Sequence, residues 1–225
     1  MFNSKNKLVP TPSCSNNAFT LAEVLITLVI IGVIAAMTVP TLMNNTNNEE
    51  FVSKLKKAYS TLAQATNQII MEEGPVQSWG EDSSVVHNFY KSKLINAKEC
   101  GAGTGCFEQG KYKFLNGGTT IQWDDQMDDF YKLILADGIQ IRFEPFNPAC
   151  SDTSDRAGAE NVCMFMEVDL NGMKKPNTVG RDVFVFLLKK DGLFPSGCDI
   201  QNKCNKNNVG YACACKVLRE GAMNY

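Results

Sequence analysis

One carboxylate stands inside the longest apolar stretch of the sequence. From Phe19 to Val39 the chain has twenty-one residues, of which only Glu23 is charged. As a helix rising about 1.5 Å per residue, this stretch is roughly 32 Å long, close to the thickness of the hydrocarbon core of a bilayer. A carboxylate in apolar surroundings is costly and usually has a designated partner, so Glu23 indicates a charge-pairing site in a membrane-spanning helix. The alternative is that Glu23 simply lies at the depth of the lipid headgroups.

The segment before the apolar stretch, residues 1–18, is polar and carries Lys5 and Lys7 but no acid. Such a segment is typical of the charged start of a targeting signal, and its lysines favour a cytoplasmic N-terminus. A secretory signal would be cut after the apolar stretch, near Ala36. However, this stretch is longer than the apolar part of most secretory signals, contains an acid and lacks a clear small-x-small cut point.

The same residues resemble the N-terminal segment of type IV prepilins and type II secretion pseudopilins. In that family a basic leader is cut before the apolar stretch, and the new N-terminal Phe is methylated. A Glu stands at the fifth mature position and a Pro at the twenty-second. The matching residues here are Ala18 and Phe19 on either side of the cut, Thr20 and Leu21 after it, Glu23 as the fifth and Pro40 as the twenty-second. Ala18 stands where the family usually has Gly.

The resemblance implies that Glu23 sets the stagger of subunits in a filament. Cleavage after Ala18 leaves a cationic amine on Phe19, which is the natural counter-charge for this carboxylate. Within one helix the two residues lie four positions apart and can meet. In an assembly, a neighbouring helix shifted along the axis would offer its amine instead, and a buried charge pair of that kind is a plausible register device.

The resemblance also implies the partners and the location. The partners are a prepilin peptidase and methyltransferase, other pilin-like subunits and an inner-membrane assembly platform. Before processing, the protein would cross the cell membrane once with its N-terminus in the cytoplasm, and its globular part would lie in the periplasm or at the cell surface. The expected role is that of an assembled pilin-like subunit, a pseudopilin, and not of an enzyme.

The cysteines independently indicate an oxidising compartment. Of nine, Cys14 lies in the proposed leader, and its removal leaves an even number: Cys100, Cys106, Cys150, Cys163, Cys198, Cys204, Cys213 and Cys215. An even number in a Gly- and Asn-rich domain predicts disulfides. We expect local pairs, Cys100 with Cys106 and Cys150 with Cys163, with the last four paired among themselves. Zinc is disfavoured because the chain has no CxxC pair and its one histidine, His87, stands apart from the cysteines.

The charge balance gives no support to nucleic-acid binding. The chain has 22 basic and 24 acidic residues, and removal of the leader leaves 20 basic and 24 acidic residues, a formal charge of −4. The sequence has no basic patch of the kind that nucleic-acid-binding proteins use. We therefore expect a mildly acidic exposed domain without a nucleic-acid partner.

No set of residues predicts catalysis. The single histidine, His87, has no serine or cysteine nucleophile in a recognisable motif. Four acids form a cluster that we expect to be a solvated turn or a helix start rather than a general acid pair. They are Asp124, Asp125, Asp128 and Asp129.

A calcium site is one further hypothesis. Asp169, Asn171 and Asp182 supply several oxygen ligands, and the resemblance implies calcium because secretion pseudopilins of the major type carry it in a loop of the folded domain. The spacing of an EF-hand is not met, since Met173 stands where a ligand would be required. Asn171-Gly172 is also explained as a simple turn.

The chain before Gly74 is expected to form one long helix in two parts after the leader. Residues 19–42 are the membrane or filament-core segment, and residues 43–73 form an amphipathic second half. Apolar residues recur there at steps of three and four, namely Phe51, Leu55, Ala58, Leu62, Ala65 and Ile69. This stripe would pack on the globular domain of its own chain, or partly between subunits as well. The helix is predicted to be broken or loosened between Pro40 and Asn48, because Pro removes a hydrogen bond and Asn has low helix propensity.

Residues 74–225 are predicted to form the globular head. A short helix is expected over Ser83–Ile95, and strands are expected at Tyr131–Ala136, Ile139–Phe143, Asn161–Asp169 and Asp182–Lys189. The first two strands flank Asp137-Gly138, a strong hairpin signal. The fold class is α+β: a long N-terminal helix packed on an antiparallel sheet of about four strands, braced by disulfides in a Cys-rich C-terminal loop.

Two other functions fit parts of the sequence. One is an extracytoplasmic binding protein on an uncleaved single-span anchor, in which Glu23 has no assembly role. The other is a secreted hydrolase whose signal is cut near Ala36, which would require a cleft with convergent titrating groups.

Overall fold

A computed structural model describes residues 20–154, 157, 159–199 and 203–225. The helices are α1 (Leu21–Glu73), α2 (Ser83–Lys93) and α3 (Ala214–Glu220), with a 3-10 turn at Val76–Ser78. The strands are β1 (Asn96–Gly101), β2 (Lys111–Lys113), β3 (Thr119–Gln122), β4 (Tyr131–Leu135), β5 (Gln140–Phe143), β6 (Asp152–Ser154), β7 (Ala159–Val162), β8 (Met164–Asp169), β9 (Val183–Lys189) and β10 (Gly192–Pro195). The chain divides into two compact units, Met1–Asn44 and Asn45–Tyr225.

The described part of the first unit is the start of α1. The segment Leu21–Val39 is long and apolar enough to cross a membrane, and none of it is buried against the other residues that the structure describes. The large apolar side chains are instead widely exposed, from Leu21 at 79% to Val24 at 43%. This part of the helix therefore has no covering surface in the described part of its own chain.

The predicted break between Pro40 and Asn48 is wrong, because α1 is helical without interruption from Leu21 to Glu73. Proline fixes φ near −65°, a value that suits a helix, although it removes one hydrogen bond from the ladder. Each asparagine costs up to about 0.7 kcal/mol relative to alanine. Ending and restarting the helix would require a second nucleation, which is itself unfavourable. The long helical sequences on both sides therefore keep the segment helical.

The second unit is built on a six-stranded antiparallel sheet in the order β1-β4-β5-β8-β9-β10. Two small hairpins, β2–β3 and β6–β7, lie outside this sheet. The predicted α+β class with an antiparallel sheet is confirmed. The sheet has two strands more than expected.

One face of the sheet forms the main apolar core with the part of α1 that belongs to this unit. Ile141, Val168 and Phe184 are consecutive partners across three strands and project from this face. All six residues of the predicted apolar stripe are buried in the same core, so that prediction is confirmed. The ring of Tyr59 stacks on Phe186 with 5.5 Å between centroids.

The opposite face is polar at its centre. Lys132, Arg142 and Glu167 are direct partners on β4, β5 and β8, so their side chains form one row across the sheet. Two smaller apolar clusters cover this face on either side of the row. The first contains Cys106, Phe107, Tyr112, Trp123, Val179 and Val183. The second contains Ala157, Ala159, Val162, Val185 and Leu187.

The four predicted strands correspond to β4, β5, β8 and β9. The predicted strand Asn161–Asp169 differs in one respect, since it is interrupted at Cys163, whose disulfide to Cys150 and hydrogen bond to Leu188 O divert the chain there. The two strands that were not predicted, β1 and β10, are the edges of the sheet. Edge strands bury fewer side chains than central strands. Strand β1 has no buried residue, so its sequence lacks the alternation of apolar and polar residues that indicates a strand.

Four disulfides brace the head, and the predicted pairs are confirmed. They join Cys100 to Cys106, Cys150 to Cys163, Cys198 to Cys215 and Cys204 to Cys213. The last two pairs fasten the C-terminal loop at the start of α3. All four close short loops, which restrict the unfolded chain locally.

The α1 stripe should carry a large share of the stability of the head. We expect Leu62→Ala to lower the free energy of unfolding by about 2–5 kcal/mol, because Leu62 is fully buried and its truncation leaves a cavity. Met71→Ala, at a side chain that is 86% exposed on the same helix, is the control and should have little effect. Urea unfolding of the full chain in detergent micelles, followed by tryptophan fluorescence, measures both. Equal stabilities of the two variants would contradict the packing described.

Candidate functional site

The first turn of α1 holds Glu23 in a reciprocal set of hydrogen bonds with Thr20. The backbone N–H and the hydroxyl of Thr20 both donate to Glu23 Oε2, each at 2.8 Å. In return the backbone N–H of Glu23 donates to Thr20 Oγ1 at 3.2 Å. This is a capping box, in which a Thr at the N-cap and a Glu three residues later satisfy helix-start donors that would otherwise lack partners.

The capping box gives Glu23 a second role that the sequence analysis did not assign. Its signal, Thr-x-x-Glu before an apolar run, was present in Thr20–Glu23. In the single chain the Glu23 carboxylate therefore stabilises the start of the helix. A cationic group from another molecule must therefore displace the Thr20 donors or bind the Glu23 carboxylate together with them.

Of the other residues assigned to processing and assembly, the structure describes only Pro40. Ala18 and Phe19 lie outside the described residues. Pro40 lies within α1 and does not interrupt it. Within Leu21–Val39, Glu23 is the only charged residue, and the exposed apolar side chains surround the helix on all sides.

The predicted calcium ligands Asp169 and Asp182 are both fully buried and lie close enough to interact electrostatically. Asp169 Oδ1 accepts from the backbone N–H groups of Asn171 at 3.1 Å and Gly172 at 2.9 Å, and its Oδ2 accepts from the Tyr112 hydroxyl at 3.0 Å. These bonds bend the loop after β8 tightly around the carboxylate.

Asp182 organises the second half of the same loop. Its two carboxylate oxygens accept from the backbone N–H groups of Asn177 at 2.8 Å and Thr178 at 2.7 Å. The structure thus gives both aspartates a structural role, and it brings them together as the calcium hypothesis requires. Two buried amide oxygens nearby, Asn171 Oδ1 and Asn177 Oδ1, have no hydrogen-bond donor among the described groups.

Two buried carboxylates without a cation are electrostatically unfavourable. Burial, and secondarily the charge of Asp182, raises the pKa of Asp169 well above its usual range. Burial also raises the pKa of Asp182, against the lowering effect of its backbone donors. Within the described residues no group of three or more His, Cys, Asp or Glu side chains could hold a metal ion. A cation here would therefore depend on two carboxylates supplemented by amide and backbone oxygens.

A second charged cluster lies in the polar row of the sheet. Arg142 Nη1 contacts Glu167 Oε1 at 3.0 Å and Glu144 Oε1 at 3.7 Å. The guanidinium also lies over the Phe130 ring, 4.1 Å from its centroid. Beside it the Lys132 ammonium donates to Asp125 O at 2.6 Å, and burial together with the Arg142 charge lowers the pKa of Lys132.

Two residues considered for chemistry are structural. His87 is buried between the rings of Tyr131 and Phe143, at 5.1 and 5.6 Å between centroids, and burial lowers its pKa, which favours the neutral ring. Asp124 corrects the expectation of a solvated acidic turn, because it is only 1% exposed. Its carboxylate accepts from the backbone N–H groups of Gly105, Cys106 and Phe107 and so closes the Cys100–Cys106 loop. The other three acids of that cluster are exposed, as expected.

Comparison with known families assigns the larger part of the chain. A model described as "Family of unknown function (DUF6613)" matches residues 41–210, which is more than half of the chain. The chain belongs to this family. No curated protein and no solved structure matches it significantly.

The DUF6613 region begins just after a second match. A model described as the prokaryotic N-terminal methylation motif matches residues 14–39 and includes Ala18, Phe19 and Glu23. This motif is the prepilin-type signature, so the resemblance seen in the sequence is confirmed, and the chain has the N-terminus of a pilin-like precursor. The DUF6613 region contributes the rest of α1 and nearly all of the head, including the Asp169–Asp182 pair and the Arg142–Glu167 pair.

Proposed function

We propose that this DUF6613 protein is a pilin or pseudopilin subunit that is cut between Ala18 and Phe19, N-methylated at Phe19 and assembled through α1 into a filament of a type II secretion or type IV pilus system. The observation that carries the proposal is the methylation motif on a helix whose apolar residues Leu21–Val39 have no cover in the described part of the chain. Lipid would cover this segment before assembly, and the same segments of neighbouring subunits would cover it afterwards.

In this proposal Glu23 changes partners during assembly. In the single chain its carboxylate accepts from Thr20. In the filament, the charged amine of a neighbouring Phe19 would be a stronger partner, because an ionised donor in apolar surroundings gains more than a neutral one. The capping box would keep Glu23 ordered until that amine arrives.

The proposed partners follow from the same steps. A prepilin peptidase and methyltransferase would process the N-terminus, and other pilin-like subunits and an inner-membrane assembly platform would receive the helix. The head would face the periplasm or the cell surface, where its four disulfides are stable.

Variants of the capping box separate charge pairing from helix capping. Glu23→Gln keeps an acceptor that suits a capping box but removes the charge, whereas Thr20→Ala removes the cap and keeps the charge. We expect Glu23→Gln and Glu23→Ala to lower subunit association more than tenfold, and Thr20→Ala to lower it no more than about threefold. The measurement is chemical cross-linking, in intact cells, of two differently tagged full-length copies co-expressed with a prepilin peptidase.

Helix stability is checked alongside by circular dichroism of each variant in detergent. If Glu23→Gln associates like the unaltered protein while Thr20→Ala does not, Glu23 acts as a cap and the charge-pairing mechanism is wrong. If unaltered copies do not associate at all, the single-span binding protein becomes the better explanation.

We also propose that calcium neutralises the Asp169–Asp182 pair. The favouring observation is the pair of unpartnered amide oxygens, Asn171 Oδ1 and Asn177 Oδ1, beside two buried carboxylates. Carboxylate and amide oxygens are ligands that calcium prefers. Calcium would supply positive charge to the loop after β8; it would take no part in chemistry.

The calcium proposal predicts a pH-dependent stabilisation. Since the folded-state pKa of both aspartates is raised, chelated protein should lose stability as the pH rises above about 4, the unfolded Asp value. We expect 1 mM calcium to raise the unfolding temperature at pH 8 by several degrees and to have a smaller effect at pH 5, where protons compete. Asp182→Asn should abolish the effect, and the exposed Asp191→Asn should retain it. Scanning calorimetry of the full chain in detergent that shows no calcium effect at pH 8 would contradict the proposal.

A further inference from the structure

A cavity of about 250 Å³ opens on the polar face of the sheet beside the Arg142–Glu167 pair. Its lining residues are Glu144, Thr153, Ser154, Ala157, Phe165, Glu167, Val185 and Tyr211. The floor consists of Ala157, Glu167 and Val185, each 2% exposed. The Glu144 side chain is 32% exposed, so this carboxyl lies where the cavity meets solvent. The walls are thus mixed apolar and hydroxyl-bearing, with acids at the floor and at the mouth.

One oxygen at the floor of the cavity has no N–H donor within the described residues. Glu167 Oε1 is bound by Arg142 Nη1, whereas the buried Glu167 Oε2 has no such partner. A buried carboxylate oxygen left without a donor costs free energy, and without a ligand the Glu144 carboxyl, which is hydrogen-bonded to Glu167, provides the proton for this pair of acids. Because Glu167 lines the cavity, a ligand that enters it can donate to Glu167 in place of that proton.

The local charge count leaves room for one cation. Arg142 offsets one of the two carboxylates, Glu144 and Glu167, and no other described cation forms an ion pair with either. The remaining negative charge must be balanced by a proton or by a bound cation, since an uncompensated charge in a partly buried site is unfavourable.

We propose that this cavity binds an alkylammonium group, either the head of a lysine side chain or a free primary amine. The ammonium would donate to Glu167 Oε2 and to the Glu144 carboxylate, and its third donor would find a hydroxyl of Thr153 or Ser154. The alkyl stem would lie against Phe165 and Val185. The binding surface goes beyond the proposed assembly role, because it lies in the head and does not depend on α1 residues 21–39.

The cavity suits an ammonium better than a divalent metal ion. Calcium takes six to eight oxygen ligands, whereas here one of the four carboxylate oxygens is held by Arg142 and much of the wall is carbon. The cavity is also smaller than the roughly 300–1,000 Å³ typical for drug-sized ligands. A single flexible chain with a compact charged head matches both the size and the chemistry.

Binding should exchange a proton for the ammonium. Burial, followed by the charge of Glu167 and a hydrogen bond with it, raises the pKa of Glu144 to about 10, so at neutral pH this carboxyl holds a proton. The other charged or titratable groups around it in the described structure are Arg142, Asp152 and Tyr211. An ammonium that pairs with ionised Glu144 displaces that proton into solvent. With one proton released per ligand, affinity rises up to tenfold per pH unit.

Isothermal titration calorimetry of the full chain in detergent micelles tests the proposal with three probes. They are n-butylammonium chloride, the peptide acetyl-Gly-Lys-Gly-amide and the same peptide with norleucine in place of lysine. We expect the lysine peptide, n-butylammonium or both to bind up to tenfold more tightly at pH 8 than at pH 7, with proton release detected by comparing buffers of different ionisation enthalpy. Binding of the lysine peptide indicates a protein-borne lysine, and binding of n-butylammonium alone indicates a free amine.

Glu144→Gln is the decisive variant, because the amide mimics the protonated carboxyl and so should fold normally, yet cannot ionise. It should weaken binding more than tenfold and abolish proton release. Glu160→Gln, the same substitution at an exposed acid on β7, should bind like the unaltered protein. The proposal is overturned if neither amine binds to folded protein, if the norleucine peptide binds equally well, if Glu144→Gln binds normally, or if calcium chloride displaces the amine at equimolar concentration.

Discussion

The structure depends on one constraint: residues Leu21–Val39 of α1 are apolar on every side and have no cover from the residues that the structure describes. Apolar surface of this extent is not stable in water, so something outside the described chain must cover it. A bilayer is sufficient for a single subunit, and in the proposed assembly the segment, which contains the prepilin-type motif matched at residues 14–39, would also leave the bilayer. The one charge in this segment, on Glu23, is held by Thr20 at the helix start, which keeps the carboxylate ordered without a second charge.

The head does not require cover of this kind from outside the chain. One face of its sheet is covered by the α1 stripe, and the other is covered by two hairpins held in place by disulfides and by the Asp124 carboxylate. The stripe residues are buried in their own domain, so subunit contacts need not involve them. In the proposed function, attachment would therefore rest on the first part of α1, and the polar face of the sheet, with its Arg142–Glu167 pair and adjacent cavity, would be free for other interactions.

Local signals in the sequence were sufficient for the main elements. Asp137-Gly138 joins β4 to β5, and the three- and four-residue spacing from Phe51 to Ile69 marks the buried side of the helix. The short separations within the cysteine pairs were enough to find two of the disulfides. The edge strand β1 was missed because it buries no side chain. The break at Pro40 was predicted because the local cost of proline and asparagine in a helix was considered without the cooperativity that keeps a long helix continuous.

The features that the sequence did not reveal depend on register between distant strands. Nothing in the order of residues shows that Arg142 and Glu167, 25 positions apart, are direct partners, or that Glu144 joins them. Asp124 looked like part of a solvated acidic run because its three N–H donors come from a loop 17 to 19 residues earlier. The Thr20–Glu23 capping box was a local signal and could have been found from the sequence alone.

The proposed assembly depends on processing that leaves an amine at the start of the uncovered helix. Mass spectrometry of the N-terminal peptide, from the protein purified out of membranes that contain a prepilin peptidase, tests this directly. Cleavage between Ala18 and Phe19 predicts a peptide that begins with N-methylated Phe19. A peptide that begins at Met1, or near Met37 after loss of the whole apolar stretch, would contradict it.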